Sequence, residues 1–176
     1  MTISVQSLAE VRRRAGYACE YCGVQETDTG GELTVDHFQP QAHGGTDDLS
    51  NLLYCCHRCN LYKADYWPNQ PSDIPLWNPR QESADSHFVR LLDGSLYPIT
   101  RVSGFTIGRL RLNRPALVAY RRRKQSESEE FKLLARYREV IALLERLQQQ
   151  QAALLEDHRA LLEEQKRLLR LLGRIG

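Results

Sequence analysis

The sequence predicts an α+β protein with three parts: a small ββα element, an extension that contains a hairpin, and a long C-terminal helix. Two short apolar runs flank a loop rich in Gly and Asp, and a helical stretch follows them. The last part of the chain instead repeats leucines with heptad spacing. We therefore expect a first domain over 1–66, the extension over 67–125 and the helix over 126–176.

Local signals place the elements of the first domain. Ser7 and Glu10 have the spacing of a capping box, which predicts a short helix at the start of the chain. Strands are predicted over 33–37 and 51–55, on either side of the loop, and a helix over 58–65. This order gives the ββα element.

The extension shows turn chemistry. Four prolines and two tryptophans in 66–80 predict an irregular segment that packs onto the first domain through its aromatic rings. Asp93-Gly94 predicts the turn of a hairpin over 88–100, because this pair readily adopts positive φ. Pro115 is suited to the first position of a further helix.

The C-terminal region predicts a coiled coil. Ser126 and Glu129 form a second capping box, and neither Gly nor Pro follows until Gly173. A helix of about 46 residues would be ~69 Å long, which is too long to be buried against a small domain. We therefore expect a homodimer or a partner protein. The seam residues are spaced alternately four and three apart: Leu133, Tyr137, Val140, Leu144, Leu147, Gln151, Leu154, His158, Leu161, Gln165, Leu168 and Leu172.

Composition and charge narrow the class of protein. Hydrophobic residues make up 41% and charged residues 26%, which is typical of a folded domain. The sequence has no signal-peptide pattern and no apolar run long enough to cross a bilayer, so we expect a cytoplasmic protein without membrane contact. Five cysteines are then expected to be reduced and available to a metal.

A basic stretch lies between Gly94 and Ser126. It holds eight basic residues and no acidic one, which suggests a polyanionic partner, although a solvated face is the alternative. These residues are Arg101, Arg109, Arg111, Arg114, Arg121, Arg122, Arg123 and Lys124.

Two CxxC pairs, Cys19 with Cys22 and Cys56 with Cys59, have the spacing of zinc knuckles. Four thiolates complete a tetrahedral site and leave no open position, so this zinc is expected to be structural. Cys55 is expected to be spare, because neighbouring side chains on a strand point to opposite faces.

The motifs around these pairs follow the order DHxxP, GG, NL and CxxCNxxK. This order resembles the HNH endonuclease family, in particular the subgroup whose ββα-metal fold is clamped by a four-cysteine zinc. The resemblance is close over 17–65 and looser to about Arg123, and it excludes the C-terminal helix. The motif residues are Asp36, His37, Pro40, Gly44, Gly45, Asn51, Leu52, Cys59, Asn60 and Lys63.

The resemblance implies hydrolysis of phosphodiester bonds. His37 is expected to be the general base, since a neutral imidazole accepts a proton near pH 7. Asp36 and Asn60 would hold a catalytic Mg²⁺ or Mn²⁺. Asn51 would tie the loop back and so orient the histidine. Lys63 would either bind a phosphate or be a solvated charge.

Other positions refine this expectation. Asn60 stands where many members have His, which favours Mg²⁺ or Mn²⁺ over softer metals. Asp36 and His37 could serve one site only if the strand ends there. His43 is interpreted as a surface loop residue and His87 as packing at a strand start.

We therefore expect an endonuclease that cuts DNA. A non-catalytic zinc module that binds nucleic acid is the alternative, as is the nuclease subunit of a larger assembly held by the C-terminal helix. The residues expected to contact nucleic acid are Lys63, Arg109, Arg111, Arg114, Arg121, Arg122 and Arg123.

Overall fold

A computed structural model describes residues 3–172, and the chain divides into two compact units, Met1–Gln125 and Ser126–Gly176. The predicted helix end at Gly173 lies outside the described residues. In chain order the elements are α1 (Val5–Arg14), α2 (Glu26–Thr29), β1 (Thr34–His37), β2 (Leu52–Cys55), α3 (His57–Lys63), β3 (Phe88–Arg90), β4 (Leu96–Pro98), α4 (Arg101–Arg109) and α5 (Pro115–Leu172).

Helix α1 begins earlier than the predicted capping box. Ser4 is the N-cap, and its hydroxyl oxygen accepts a hydrogen bond from the Ser7 backbone N–H at 3.0 Å. Glu10 does not cap the helix, because its carboxylate pairs with Arg13 at 2.8 Å. The predicted start at Ser7 is therefore wrong. Val11 is fully buried and seats α1 on the first sheet.

Strands β1 and β2 form the predicted antiparallel pair. Thr34 pairs with Cys55, and His37 pairs with Leu52 at the other end. Strand β2 is buried along its whole length, and α3 follows it after Cys56. The ββα element is thereby confirmed, with strand ends within one residue of those predicted.

Aromatic rings attach the irregular segment, as predicted. The Trp77 ring packs edge-on against Phe88 and Tyr21, with ring centroids 5.1 and 6.3 Å away. Trp67 packs edge-on against Phe38 at 5.8 Å. Leucines from the extension join the same core, so 1–66 and 67–125 share one hydrophobic core within the unit Met1–Gln125.

The predicted hairpin is present as β3 and β4. Gly94 has φ +87°, and a Cβ there would overlap the carbonyl oxygen of Val118 on α5, so a side chain is excluded. Helix α4 was not predicted, because Gly104 and Gly108 both disfavour helix. A capping box between Thr100 and Ser103 fixes its start.

Helix α5 is continuous from Pro115 to Leu172, which confirms the predicted helix start at Pro115. Residue 126 lies inside the helix, so the predicted start at Ser126 is wrong. In the unit Ser126–Gly176 the heptad leucines are exposed, from 53% at Leu133 to 67% at Leu154. Across residues 3–172, no helix combines the length and apolarity needed to cross a membrane.

Candidate active site

Four thiols meet in the interior of the first unit. The Sγ atoms of Cys19, Cys22, Cys56 and Cys59 all lie within 4.8 Å of one another, and all four residues are buried. Cys22 Sγ and Cys56 Sγ are 3.7 Å apart. Zinc–sulfur bonds of ~2.3 Å in a tetrahedron separate the sulfurs by ~3.8 Å, so the cluster fits one zinc ion. The fold thus brings together the four thiols predicted to bind zinc, and Cys55 stays outside the four-thiol group.

Backbone hydrogen bonds shape the two knuckles. Cys19 N–H donates to Val24 O at 2.9 Å, and Gly23 N–H donates to Cys19 O at 2.8 Å, which folds the first pair into a tight turn. The second pair begins α3, where Cys56 is the N-cap and its Sγ accepts from the Cys59 N–H at 3.5 Å. Both thiols of a pair are thereby turned to the same side.

Arg114 carries positive charge beside the thiols. Burial lowers the pKa of its guanidinium, but the negative charges of Cys59 and Cys22 raise it, and the net shift is upward. A zinc ion bound by four thiolates has a net charge of about −2, which this cation offsets. Arg114 therefore lies where its charge would offset that of a zinc ion bound by the four thiolates.

Asp36 on β1 faces α3. Its Oδ2 lies 3.0 Å from Nζ of Lys63, whose side chain is fully buried. The same Oδ2 is itself buried and accepts no hydrogen bond of good geometry from residues 3–172. The Oδ1 atom accepts the backbone N–H of His37 at 2.9 Å. Lys63 is thus neither a solvated charge nor an exposed phosphate contact, which corrects both expectations for it.

Asn60 lies one turn before Lys63 on α3 and is half-buried. Its side-chain amide has no hydrogen-bond partner within the part of the chain that the structure describes. Residues three apart on a helix share a face, so Asn60 and Lys63 lie on the same side of α3. By helix periodicity, Asn60 therefore shares the face of α3 that carries Lys63, the ion-pair partner of Asp36.

His37 is the last residue of β1, as the strand-end expectation required. Its Nε2 lies 2.7 Å from Oδ1 of Asp47, and the imidazole is 15% exposed. The hydrogen bond with His37 lowers the pKa of the Asp47 carboxyl, and Gln41 Nε2 adds a second donor at 3.0 Å. Sequence reasoning missed Asp47. Its only signal was a carboxylate in the loop between the GG and NL motifs.

Asn51 holds this loop closed. Its Oδ1 accepts the Gln39 N–H at 2.8 Å, and its Nδ2 donates to Gln39 O at 3.1 Å and to Thr46 O at 2.8 Å. Gly45 approaches the Gln39 backbone so closely that a Cβ would overlap the carbonyl oxygen. These contacts hold the loop in the conformation that places Asp47 beside His37. They are the kind of contacts expected of an Asn51 that ties the loop back.

Part of the basic stretch lies against α3. The guanidinium groups of Arg111 and Arg114 lie 4.8 and 5.7 Å from the ring centroid of Tyr62. Arg109 lies 5.0 Å from the Tyr66 ring and donates to the Lys63 carbonyl oxygen at 3.2 Å. Arg109 and Arg111 are exposed, so their charge remains accessible beside the candidate site.

Arg121 does not belong to this surface. It is 3% exposed, and its guanidinium donates to Gly94 O at 2.6 Å and to Leu112 O at 2.8 Å. The expectation that Arg121 contacts nucleic acid is therefore wrong, because its donors fasten the hairpin to α5. Arg122 and Arg123 are exposed on the same helix.

His87 and His43 occupy the positions expected for them from the sequence, a strand start and a surface loop. His87 is buried, with Nδ1 2.9 Å from Thr100 Oγ1 and Nε2 3.1 Å from Glu82 Oε2. His43 is half-exposed in the loop, where its carbonyl oxygen accepts from Gln39 at 2.6 Å.

Comparison with known families agrees with this geometry. Residues 19–65 match the model of the HNH endonuclease family. The segment is therefore an HNH-family domain, and its four-cysteine cluster places it with the zinc-stapled form. No curated protein and no solved structure matches the chain.

Proposed function

We propose that the protein is a metal-dependent endonuclease that hydrolyses DNA, with His37 as general base and one Mg²⁺ or Mn²⁺ held by Asp36 and Asn60. The observation that carries the proposal is the match of residues 19–65 to the HNH endonuclease family, because Asp36, His37 and Asn60 all lie within the matched segment. Lys63 Nζ, 3.0 Å from Asp36 Oδ2, offsets the charge of this carboxylate, whose oxygens are ligands of the type that Mg²⁺ prefers.

The donors fit a hard cation. Asp36 offers a carboxylate oxygen and Asn60 an amide oxygen, which are the ligand types that Mg²⁺ takes from proteins while it keeps several waters. When bound, the cation would offset the charge that develops on the phosphate and on the leaving oxygen. Lys63 supports the carboxylate by supplying a positive charge next to it in a buried place.

Hydrogen bonding selects the basic nitrogen of His37. An Nε2–H that donates to the Asp47 carboxylate leaves Nδ1 with a lone pair. Nδ1 is therefore the atom that takes the proton from the attacking water. Asp47 keeps this tautomer and steadies the imidazolium that forms, as carboxylates do for other catalytic histidines. By the chemistry of the resembled family, the products carry 5′-phosphate and 3′-hydroxyl ends.

Nucleic-acid binding is assigned to the arginines beside α3. Arg109, Arg111 and Arg114 stand over the tyrosines of the same segment that carries Asn60. An open groove of about 880 Å³ runs between α3 and the start of α5, and its lining includes Tyr62 and Arg114. Each neutralised phosphate would add affinity that decreases with salt. The thiolate-based site further suits a cytoplasmic location, where cysteines stay reduced.

Cleavage of supercoiled plasmid with Mg²⁺ or Mn²⁺, with and without EDTA, tests the proposal. The wild type should nick the plasmid, and His37→Ala should not, while zinc content remains one ion per chain in both. His43→Ala is the matched control and should cut normally, because His43 is outside the His37–Asp47 pair. Salt-dependent binding without any cleavage would instead indicate a non-catalytic module, and recovery of cleavage on adding a co-purifying protein would indicate a subunit of an assembly.

A further inference from the structure

The C-terminal helix exposes a broad apolar face. With the seam in heptad notation, position d holds Leu133, Val140, Leu147, Leu154, Leu161 and Leu168. Position e holds Leu134, Ile141, Leu155, Leu162 and Leu169, and Gln148 is its one polar residue between 134 and 169. These apolar side chains are 42–67% exposed. At roughly 100 Å² each they amount to on the order of 1,000 Å² of apolar surface, which matches the ~800 Å² that each partner commonly buries in a stable interface.

Charges of opposite sign lie at the two ends of the segment 126–172. The first residues of 126–172 are acidic, with Glu127, Glu129 and Glu130, and the last are basic, with Lys166, Arg167 and Arg170. The middle, 147–155, has no charged residue. Two such helices in opposite directions bring ends of opposite charge together, whereas two parallel helices bring like charges together.

We propose that this helix pairs antiparallel with the same helix of a second copy of the chain, about a midpoint near residue 149. In this register each a residue packs beside a d residue of the partner subunit: Tyr137 beside the partner's Leu161, and Leu144 beside the partner's Leu154. The apolar core layers of this register run from 133 to 165, and outside them Leu168 comes beside Glu130 of the partner subunit.

The flanking positions decide the direction. In a parallel pair e faces g of the other helix, which would set Leu162 against Asp157 and Leu169 against Glu164. Apolar side chains would then face charged ones. In an antiparallel pair e faces e and g faces g. Leucine and isoleucine then line one flank, except at Gln148, which faces its own copy.

On the opposite flank, g faces g. Arg136 comes next to Glu164 of the partner subunit. The two-fold symmetry of the pair repeats this ion pair at the other end of the dimer. Arg136 and Glu164 thereby pair with opposite charge, while Asp157 comes beside Leu143 of the partner subunit.

Polar seam residues point the same way. Gln151, His158 and Gln165 occupy position a in three successive heptads. A parallel pair would stack each of them on its own copy and create consecutive polar layers in the core. The antiparallel pair sets each beside an apolar d residue, so that no layer is polar on both sides.

Charge reversal tests the register on the full chain. Light scattering should give the mass of two 20.3 kDa chains. Arg136→Glu and Glu164→Arg should each weaken dimerisation at least about tenfold, because each places like charges together. The double variant should dimerise as the wild type does, since both ion pairs are rebuilt in reverse. A monomeric wild type, or a double variant no better than the single ones, would overturn the proposal.

Cross-linking tests the direction separately. Gln150→Cys lies beside its own copy near the midpoint and should be joined by a short bismaleimide. Gln165→Cys is the matched control. Its copy would be ~48 Å away along an antiparallel pair and adjacent in a parallel one, so it should not cross-link. Cross-linking at 165 would refute the antiparallel arrangement, and unchanged zinc content would show that the native thiols had not reacted.

Discussion

His37 Nε2 and Asp47 Oδ1 lie 2.7 Å apart, although the two residues are ten positions apart in the sequence and Asp47 lies in the loop that Asn51 holds closed. The strand supplies the histidine and the loop supplies the carboxylate, so the pair exists only when the loop is folded. A histidine steadied on one nitrogen presents the other in a fixed direction. Closure of the loop therefore orients the proposed general base.

Asp47→Asn should lower kcat by about 10- to 100-fold while KM changes little, since the substitution removes the orienting charge and leaves the basic surface intact. Plasmid nicking under saturating metal measures this. Asp48→Asn is the matched control from the same loop and should retain activity. Equal activity of Asp47→Asn and the wild type would remove Asp47 from the mechanism. The dependence of the cleavage rate on pH should also change on its acid side in Asp47→Asn, which a purely structural substitution would not cause.

The Arg12–Glu26 pair should make the fold sensitive to acid. Hydrogen bonds from Arg12 and Tyr54 lower the pKa of Glu26 below its ordinary 4.5. A carboxyl with a depressed folded-state pKa contributes stability above its unfolded pKa and loses it as the pH falls through the folded value. Thermal unfolding between pH 7 and pH 3 should therefore show a steeper acid loss in the wild type than in Glu26→Gln. Parallel curves for the two proteins would contradict this.

Removal of one zinc ligand should unfold the first unit. Cys22→Ser should lose the ion and more than about 5 kcal/mol of stability, since binding of a structural zinc is coupled to folding. Cys55→Ala removes a buried thiol outside the cluster and should cost only about 1 kcal/mol. Metal analysis and circular dichroism distinguish the two. Zinc loss in Cys55→Ala would show that the fifth cysteine is a ligand.

Two arginines of the basic stretch should behave oppositely. Arg111 is exposed and has φ +49°, a conformation that glycine adopts more easily. Arg111→Gly should therefore keep stability within about 1 kcal/mol but weaken DNA binding and reduce the salt slope by about one. Arg121→Ala should destabilise the fold, because it leaves buried carbonyl groups without donors. Binding titrations at several salt concentrations, together with melting curves, measure both effects.

Lys63→Met tests whether the buried ammonium group stabilises the negative charge of Asp36. Without the ammonium group the charge of the Asp36 carboxylate is uncompensated. In the absence of Mg²⁺, and with zinc still bound, the variant should therefore lose about 2–4 kcal/mol of folding stability. Added Mg²⁺ should restore part of that loss, and more than it adds to the wild type. Melting curves with and without Mg²⁺ test this. A variant as stable as the wild type and indifferent to Mg²⁺ would separate Lys63 from the proposed metal site.

Local chemistry made much of the fold predictable. The CxxC spacing identified the four thiols, Asp93-Gly94 identified the hairpin, and Pro115 identified the start of α5. These signals are short-range, since a turn, a cap or a knuckle depends on a few neighbouring residues. The start at Ser126 failed for the complementary reason: a capping box is also compatible with the interior of a helix that has already begun.

The sequence by itself determined the zinc-binding thiols, the ββα order and the heptad helix, because spacing encodes each of them. Only the tertiary structure decided the electrostatics of the site. It buried Lys63 against Asp36, brought Asp47 to His37 and took Arg121 away from the basic surface to fasten the hairpin. A charged side chain looks the same in sequence whether it faces water, a carbonyl group or another charge, and long-range packing alone selects among these partners.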